Sequence, residues 1–414
     1  MTAYGGTVTT AEPTTRTDPL AYLGEEIDDL RAKNLYRPLR IMSGAQAVHT
    51  TVDGRPVISL SSNNYLGLTT HPHLVAAAEK AVRELGVGTG AVRTIAGATE
   101  LIDELERRLA DFKHVEAVLT LQSGLTANSG TIPAITTEQD LIVSDELNHA
   151  SIIDGVRLSK ASRAVFPHRD VDGLEKVLRD ARASGGPKGA YRTILVITDG
   201  VFSMDGDIAP LAGICDVADR YEAAVMVDDA HASGVLGRQG RGTVDHFDLH
   251  GRVDIQVGTL SKAVGVMGGY IAGRQHLKDY LTQRCRTLLF STSQPPAVAA
   301  ACIAAIDVME NEPDRLERLW ANTRFFKARL QELGFDTGIS ETPITPVIAG
   351  DEAKAQQLAA GLFEHGVFAT SVVFPTVALG KARVRTIVTS EHSRDDLETC
   401  LAAFATVGQE LRLI

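Results

Sequence analysis

The chain has 414 residues, of which 44% are hydrophobic and 22% charged, a composition typical of a globular protein with a substantial core. Its net charge of −11 argues against a generic basic surface for nucleic acid. The four cysteines are scattered without a C-x-x-C or Cys/His cluster, so we predict no metal site and no disulfide framework. No apolar run approaches the length of a membrane span, and the N-terminus lacks the apolar segment of a secretory signal. We therefore expect a cytoplasmic protein that does not bind membranes.

The first 60 residues are predicted to contain a tail and a short structured part. Residues 1–18 are rich in threonine and glycine and are predicted to be a disordered tail, followed by an N-terminal segment over residues 19–60. Apolar residues at helical spacing predict an amphipathic helix over residues 19–34. The apolar run Val57–Leu60 predicts a strand.

A large domain is predicted over residues 61–295, where short apolar strands alternate with helical stretches. Helices are expected at His73–Leu85 and Glu100–Phe112, the second with Thr99 as its N-cap. The alternation is typical of an α/β fold with a mostly parallel sheet between helices. The predicted strands are Ala117–Leu121, Leu141–Val143, Ala164–Phe166, Thr193–Thr198, Ala224–Val227, Ile255–Val257 and Tyr270–Ala272.

Polar residues follow the ends of several predicted strands, at Ser123, Asp145, Asp199, Asp228 and Thr259. Open parallel sheets bind their ligands at the carboxyl ends of the strands. The sequence therefore predicts an active site at that edge of the sheet.

The pattern changes after the pair of prolines at 295 and 296, and a smaller C-terminal α+β domain is predicted over residues 296–414. One long helical run is expected to reach Leu333. The further predicted elements are strands at Pro346–Ile348, Val367–Thr370 and Arg383–Val388, a helix at Glu352–Glu364, and a final helix from Ser393.

The segment Asp254–Lys262 brings a lysine to the end of a strand. An ammonium in such a loop of small residues is costly to bury unless it is paired or used chemically. A second strand ends at Asp228, with His231 three residues further on. A lysine for a Schiff base, an acid for a pyridinium nitrogen and a histidine beside the ring are the groups that hold pyridoxal phosphate (PLP). Taken alone, Lys262 could be an ordinary surface lysine and Asp228 an ordinary loop acid. Their occurrence together with His231 and Thr259 favours a PLP site.

Four further features have structural alternatives. The turn Gln122–Asn128 leads from a strand to a helix whose first amides can bind phosphate, or it is an ordinary turn. The glycines of Gly86–Arg93 lack the context of a dinucleotide fingerprint and predict a loop near a ligand. His149 either stacks on a planar ring or is a hydrogen-bonded core histidine. Arg383 and Arg385 alternate on a strand, so one is expected at a carboxylate and the other at the surface, solvated or salt-bridged.

Four motifs resemble the α-oxoamine synthases, which are PLP enzymes of fold type I that condense an amino acid with an acyl-CoA. The motifs are Ser144–Gly155, Thr198–Gly206, Val227–His231 and Gly258–Lys262, and they follow one another in the family's order. The resemblance covers roughly residues 20–412. It implies the PLP-dependent transferase fold type I, with a large PLP-binding domain and a smaller C-terminal domain. It also implies a homodimer with shared active sites.

The resemblance implies a role for each candidate site residue. Lys262 forms the Schiff base and acts as general base, Asp228 pairs with the pyridine nitrogen, and His149 stacks on the ring. The other implied positions are His231 and Ser203 near the ring hydroxyl, Thr259 and the amides of Gly124 and Leu125 at the phosphate, the partner subunit's Ser291 and Thr292 beside them, and Asn63 and Arg385 at the substrate carboxylate.

Within the family, the sequence most resembles glycine C-acetyltransferases, so we expect condensation of glycine with a short acyl-CoA such as acetyl-CoA. The stretch Phe374–Val377 resembles the 8-amino-7-oxononanoate synthases, with Thr376 at a substrate position. It supports an alternative reaction of L-alanine with pimeloyl or another longer acyl thioester. Ile102 and Leu125 stand where the family commonly has a histidine and an aromatic residue. Because of these two differences, a third hypothesis is that the protein binds PLP but catalyses no reaction.

Overall fold

The computed structural model describes residues 18–33, 35–36 and 38–414. The chain divides into a short N-terminal unit that ends at Arg40 and a unit spanning Ile41–Ile414. The first unit contains helix α1, Tyr22–Ala32, which confirms the helix predicted there. The predicted disordered tail lies outside the described residues, apart from Asp18.

The second unit contains the remaining helices and all the strands of the described chain. The strands are β1 Met42–Ser43, β2 His49–Val52, β3 Arg55–Ser59, β4 Ala117–Leu121, β5 Leu141–Asp145, β6 Ser162–Phe166, β7 Ile194–Asp199, β8 Ala224–Asp228, β9 Ile255–Thr259, β10 Gly269–Gly273, β11 Ile344–Gly350, β12 Val367–Phe368, β13 Thr370–Val372 and β14 Ala382–Ile387. The helices are α2 Pro72–Leu85, α3 Glu100–Lys113, α4 Gly124–Ile135, α5 Ala150–Leu158, α6 Val171–Ser184, α7 Leu211–Arg220, α8 Thr243–His246, α9 Gln275–Arg284, α10 Arg286–Leu289, α11 Pro296–Asn311, α12 Asp314–Glu332, α13 Glu352–Glu364 and α14 Arg394–Glu410.

A seven-stranded sheet in the order β4-β10-β9-β8-β7-β5-β6 forms the centre of this unit. Only β10 runs antiparallel to its neighbours, so the predicted mostly parallel sheet is confirmed. All residues of β4, β5, β7 and β9 are buried, which explains why the sequence shows them as continuous apolar runs rather than alternating patterns. The seven strands predicted from those runs are confirmed, with small differences at their ends.

Two smaller sheets involve the C-terminal part of the chain. Strands β11, β14 and β13 form a three-stranded antiparallel sheet. Strand β12 pairs in parallel with β3, so a strand near the start of this unit shares a sheet with one near its end. The predicted domain boundaries at residues 60 and 295 stay predictions.

The long helix predicted to reach Leu333 is wrong, because the structure has two helices there. Helix α11 ends at Asn311 and α12 begins at Asp314. Pro313 lies between them and has no backbone N–H to continue the hydrogen-bond ladder of the first helix. Helix α3, by contrast, begins as predicted, since the side chain of Thr99 accepts a hydrogen bond from the Ile102 amide at 3.3 Å.

The largest buried apolar cluster supports the loop that follows β9. Ile102 is 1% exposed and belongs to the same cluster as Leu260 and Ala263, which flank Lys262 in the sequence. An apolar residue at position 102 therefore serves the core beneath that loop. No helix in the described part of the chain is both long and apolar enough to cross a bilayer.

Gly269→Ala is expected to destabilise the fold where β10 passes the start of α4. A Cβ at position 269 would lie 2.3 Å from the Ser123 carbonyl oxygen and 2.6 Å from the Gly124 nitrogen, so the backbone must shift. We expect the free energy of unfolding in urea to fall by about 1–3 kcal/mol. Gly88→Ala is the control, because a Cβ there meets no atom within 4 Å. Equal losses in both variants would contradict the close approach.

Candidate active site

A cavity of about 210 Å³ opens at the carboxyl ends of the central strands. Eight predicted site residues line it: Gly124, Leu125, His149, Ser203, Asp228, His231, Thr259 and Lys262. The cavity is also lined by Ser123 and Asp199, which the sequence placed at the ligand-binding edge of the sheet, and by four residues to which it assigned no role: Ser151, Val201, Ala230 and Ser261. The topology brings these residues together, because they lie at or just after the carboxyl ends of five strands of one sheet, β4, β5, β7, β8 and β9.

Of the described residues that line this cavity, only Lys262 carries an amine, three residues past the end of β9. Burial lowers the pKa of its ammonium to about 8, although the carboxylates of Asp228 and Asp199 act in the opposite direction. Among the residues that the structure describes, no side chain forms a hydrogen bond or ion pair with the Lys262 amine. A desolvated amine with a lowered pKa is a nucleophile and a base near neutral pH.

Asp228 is held by a chain of hydrogen bonds that ends at His149. The amide of Asn128 donates to Asp228 Oδ2 at 2.6 Å and to Ser151 Oγ at 2.9 Å. Ser151 Oγ in turn lies 2.7 Å from His149 Nδ1. Burial lowers the pKa of His149, so its ring is neutral at neutral pH. Asp228, predicted at the ring nitrogen, and His149, predicted on the face of the ring, are thus fixed by one network.

Asp199 links the same histidine to the next strand. Its carboxylate accepts a hydrogen bond from the His149 amide at 3.1 Å. Burial and the nearby Asp228 carboxylate raise the pKa of Asp199 well above its usual range, while Lys262 opposes them. The cavity therefore holds two acids in unequal environments beside one amine.

His231 is oriented by Tyr65, a residue that the sequence analysis missed. Its Nδ1 lies 2.7 Å from the phenol oxygen, and Tyr65 is completely buried. Burial raises the pKa of Tyr65, so the phenol keeps its proton, and burial lowers the pKa of His231 well below its usual range. When the phenol donates to Nδ1, Nε2 carries the proton of the neutral imidazole.

The N-terminus of α4 forms one side of the cavity. Ser123 caps the helix reciprocally with Thr126, at 3.1 Å and 2.9 Å. The amides of Gly124 and Leu125 have no acceptor within the helix, because they belong to its first turn. Among nearby hydroxyls, Thr259 Oγ1 lies 2.7 Å from Ser261 Oγ. Free amides at a helix N-terminus together with hydroxyls suit a phosphate group.

Asn63 and Arg385 lie together, as the resemblance implies, but neither lines the cavity. Arg385 donates to the Ser203 carbonyl at 3.2 Å and is 3.5 Å from Asn63 Oδ1. Arg383 forms an ion pair with the partly exposed Asp205, as the salt-bridged alternative predicted, but it differs from the predicted surface residue because it is only 5% exposed. On strand β14, Arg385 therefore lies beside the site, and Arg383 holds the loop that carries Ser203.

His168 fixes the same loop from the other side. Its two ring nitrogens lie 3.0 Å from Asp145 Oδ1 and 2.9 Å from Asp207 Oδ2. Burial lowers the pKa of His168, but the hydrogen bonds to these carboxylates outweigh it and raise the pKa to about 9. The ring packs edge-on against Phe202, and Arg169 also contacts Asp207 at 3.4 Å. A cationic imidazole therefore joins the end of β5 to the loop after β7.

Three more predicted residues, besides Asn63 and Arg385, lie outside the cavity of this chain. Thr376 is exposed on the loop after β13. Ser291 and Thr292 lie between α10 and α11, where the Thr292 carbonyl accepts a hydrogen bond from Gln122 Nε2 at 2.7 Å. This segment runs beside the start of α4 without entering the cavity.

The residues of the cavity fit PLP. They include a partly buried lysine with no hydrogen-bond or ion-pair partner among the described residues, an acid anchored by an amide, a neutral histidine and a helix N-terminus for a phosphate. The fold and the cavity together define a PLP-dependent enzyme of fold type I.

Comparisons with known proteins agree with this class. The family model "Aminotransferase class I and II" matches residues 55–404. A solved structure of serine palmitoyltransferase with PLP internal aldimine has a TM-score of 0.90 at 30% identity, covering 96% of this chain and 100% of that chain. The chain belongs to the class I and II aminotransferase family, and within it to the α-oxoamine synthases.

Two curated relatives cover almost the whole chain. An 8-amino-7-oxononanoate synthase of Symbiobacterium thermophilum is 58% identical over 95% of this chain and 99% of its own length. An enzyme of Bacillus subtilis named 8-amino-7-oxononanoate synthase 1 is 52% identical over 96% of this chain and 100% of its own length.

These relatives correct one prediction. Glycine C-acetyltransferase was the expected activity, and that prediction is wrong, because the relatives are named for another reaction of the family. The motifs behind it surround His149 and Lys262, which line the cofactor cavity. Residues that hold a shared cofactor do not distinguish one acyl donor from another.

Stability is expected to decrease at high pH because of His168. The pKa is about 9 in the folded chain against an ordinary value of 6.5. The contribution of the charged ring is therefore complete below pH 6.5 and is lost as the pH rises through 9. We expect the free energy of unfolding to fall by at least about 1 kcal/mol between pH 6 and pH 9.5.

Urea unfolding of His168→Gln at both pH values tests this expectation, since the variant lacks the titrating ring. The exposed His276 provides the control His276→Gln. The decrease between the two pH values should shrink in His168→Gln alone. An unchanged decrease would show that other groups cause it.

Proposed function

We propose that this protein condenses L-alanine with a pimeloyl thioester, or another longer acyl thioester, and releases carbon dioxide and the free thiol. The observation that carries the proposal is the 58% identity to an 8-amino-7-oxononanoate synthase over almost the full length of both chains. The site adds support, because it offers a buried base, a PLP-binding cavity and a cationic group for a carboxylate.

The carbon skeleton named by the relatives explains the choice of substrates. An 8-amino-7-oxononanoate has nine carbons, with the amine next to a ketone and one carbon beyond it. Alanine supplies the aminated carbon and its methyl group once its carboxylate has left as carbon dioxide. A seven-carbon acyl group with a terminal carboxylate supplies the remainder, and its thioester carbon becomes the ketone.

The chain's own residues account for holding the cofactor. The amides of Gly124 and Leu125 with Thr259 would hold the phosphate, and Asp228 would hold the ring nitrogen in its charged form. His149 would cover the ring face. PLP would withdraw electrons from the amino acid and make its Cα proton acidic once the amino group of the substrate has replaced Lys262 on the cofactor, an exchange that leaves the Lys262 amine free.

Lys262 is the base that this chemistry requires. With a pKa of about 8, roughly one tenth of its amine is unprotonated at pH 7, far more than for an ordinary lysine, and this form can take the Cα proton. The deprotonated carbon then bonds to the thioester carbonyl carbon, and the carbon–sulfur bond breaks to release the thiolate. Loss of the carboxylate as carbon dioxide is followed by return of a proton to the same carbon.

Arg385 and Asn63 are proposed to bind the carboxylate of the amino acid. Burial lowers the pKa of Arg385, but a guanidinium stays charged in a protein. Its contact with Asn63 is long, at 3.5 Å, so little is lost when a carboxylate replaces it. Thr376, on its exposed loop, is proposed to contact the acyl chain.

We further propose a homodimer in which the partner's Ser291 and Thr292 complete the phosphate site. Phe290 is 73% exposed and Ile95 is 83% exposed. Both flank Thr292, since Phe290 precedes it by two residues and Val92, three residues before Ile95, forms a β-bridge with it. Large apolar side chains next to an active-site segment favour an interface with a second copy.

Release of free thiol from acyl-CoA tests the reaction. The PLP-loaded protein should release more CoA with L-alanine and pimeloyl-CoA than with glycine and acetyl-CoA, and mass spectrometry should find 8-amino-7-oxononanoate. Lys262→Ala should abolish the release, because no other amine lines the cavity, while circular dichroism and thermal unfolding stay close to wild type.

Two results would count against the proposed reaction. Preferential release with glycine and acetyl-CoA would refute the choice of substrates. Retained turnover in Lys262→Ala would refute the role of the lysine even if alanine remained the preferred substrate.

Mixing two inactive variants tests the shared site. The double variant Ser291→Asp/Thr292→Asp should lose PLP binding, because two carboxylates would repel the phosphate. Lys262→Ala lacks the base but keeps both hydroxyls. Mixed dimers would contain one site with every native residue, so activity should appear that neither variant has alone. A mixture that stays inactive after verified subunit exchange would contradict the arrangement.

A further inference from the structure

In the unit spanning Ile41–Ile414, His114 meets Asp245 and His250 from a distant part of the chain, with His114 exposed, His250 partly exposed and Asp245 buried. His114 directly follows α3, Asp245 lies in the short helix α8, and His250 lies in the loop before β9. One potential ligand atom from each lies within 4.8 Å of the other two. His250 Nε2 is 3.2 Å from Asp245 Oδ1, and the two imidazole rings are 5.4 Å apart between centroids.

This triad lies at the opposite edge of the central sheet from the PLP cavity. A separate cavity of about 230 Å³ is lined by His114 and His250, by Glu116 before β4, and by Asp254 before β9. These residues precede parallel strands, whereas Lys262 follows the carboxyl end of β9. The mechanism proposed above uses none of them.

The donor set is one that binds divalent transition-metal ions. Imidazole nitrogens and a carboxylate oxygen are ligands of Zn²⁺ and Ni²⁺, and a metal lies about 2.0–2.2 Å from each such atom. Burial and the positive charge of Arg241 lower the pKa of His114, so this imidazole has a free lone pair at neutral pH. His114 is exposed, which lets its ring turn to close the remaining gap.

The backbone at His114 gives separate support for a role of its side chain. The residue adopts φ 53° and ψ 51°, the left-handed conformation in which glycine usually follows a helix. A non-glycine residue there costs about 1 kcal/mol. Histidine is tolerated better than most residues in this region, and its ring is placed next to His250 as a result.

Arg238 is the group that competes with a metal for Asp245. Its side chain contacts the carboxylate only at 3.3–3.4 Å, while its backbone amide caps the second carboxylate oxygen. The guanidinium also has another partner, Asp248, at 2.9 Å. A cation bound at Asp245 Oδ1 can therefore displace the weak side-chain contacts without leaving Arg238 unpaired.

We propose that His114, Asp245 and His250 form a binding site for a divalent transition-metal ion of the Zn²⁺ class. Three protein ligands leave a coordination position for water or a small anion, which the adjoining cavity has room to admit. The ion would tie the end of α3 to the loop between α8 and β9.

Calorimetric titration of the full-length, PLP-loaded protein with Zn²⁺ alone, in a buffer that does not chelate metals, tests this site. We expect one saturable site per chain that is weakened at least about tenfold in His114→Asn and in His250→Gln. Asparagine is chosen at position 114 because it tolerates the left-handed backbone. His246→Gln is the matched control, since His246 is exposed on α8 next to Asp245 and should not affect the affinity.

A gain-of-affinity variant keeps the test independent of folding defects. Arg238→Gln removes the competing cation, so Zn²⁺ should bind severalfold more tightly than in wild type. Any Zn²⁺ bound by histidines of the PLP cavity would give the same calorimetric signal in His114→Asn, His250→Gln, His246→Gln and Arg238→Gln, so it cannot cause differences between them. The proposal is overturned if wild type shows no stoichiometric site, or if His114→Asn and His250→Gln bind Zn²⁺ as wild type does.

Discussion

The desolvation of the Lys262 amine is the constraint on which the rest of the site depends. The loop after β9 places this amine in a buried cavity with the carboxylates of Asp228 and Asp199. Burial of an ammonium costs several kcal/mol, and here it lowers the pKa to about 8 instead of being offset by a direct ion pair. A lysine maintained in this state is available for covalent chemistry and for proton transfer.

Hydrogen bonds hold the other side chains of the cavity in fixed positions around the Lys262 amine. Asn128 ties Asp228 to the residues that orient His149, and Tyr65 orients His231. Each of these two hydrogen-bond networks connects residues that follow different strands or lie in different loops. A shift of one strand would therefore break several hydrogen bonds at once, which favours a single arrangement of the site.

Much of the fold was predictable because the central strands are buried on both faces. Continuous apolar runs therefore marked the fully buried strands β4, β5, β7 and β9, whereas β6, at the edge of the sheet, has only a short apolar run and is partly exposed. The polar residues that follow the strands marked the edge where the cavity lies. Contacts between distant parts of the chain were not predictable in the same way. Tyr65 and His231 are 166 residues apart, and no local pattern signals that a buried phenol will meet that imidazole. The leading prediction of the reaction was wrong, although the alternative drawn from Phe374–Val377 agrees with the names of the relatives, because the other recognisable motifs surround the cofactor.

The sequence by itself determined the class of chemistry. Lys262 and Asp228 at strand ends, in a chain with alternating strands and helices, predicted a PLP site, because local periodicity and residue type carry that information. Only the tertiary structure decided which residues support the site. It also brought together His114 and His250, which are 136 residues apart and belong to no sequence motif. The physical reason is that such contacts depend on how the sheet aligns its strands, and strand order is set by packing across the whole chain.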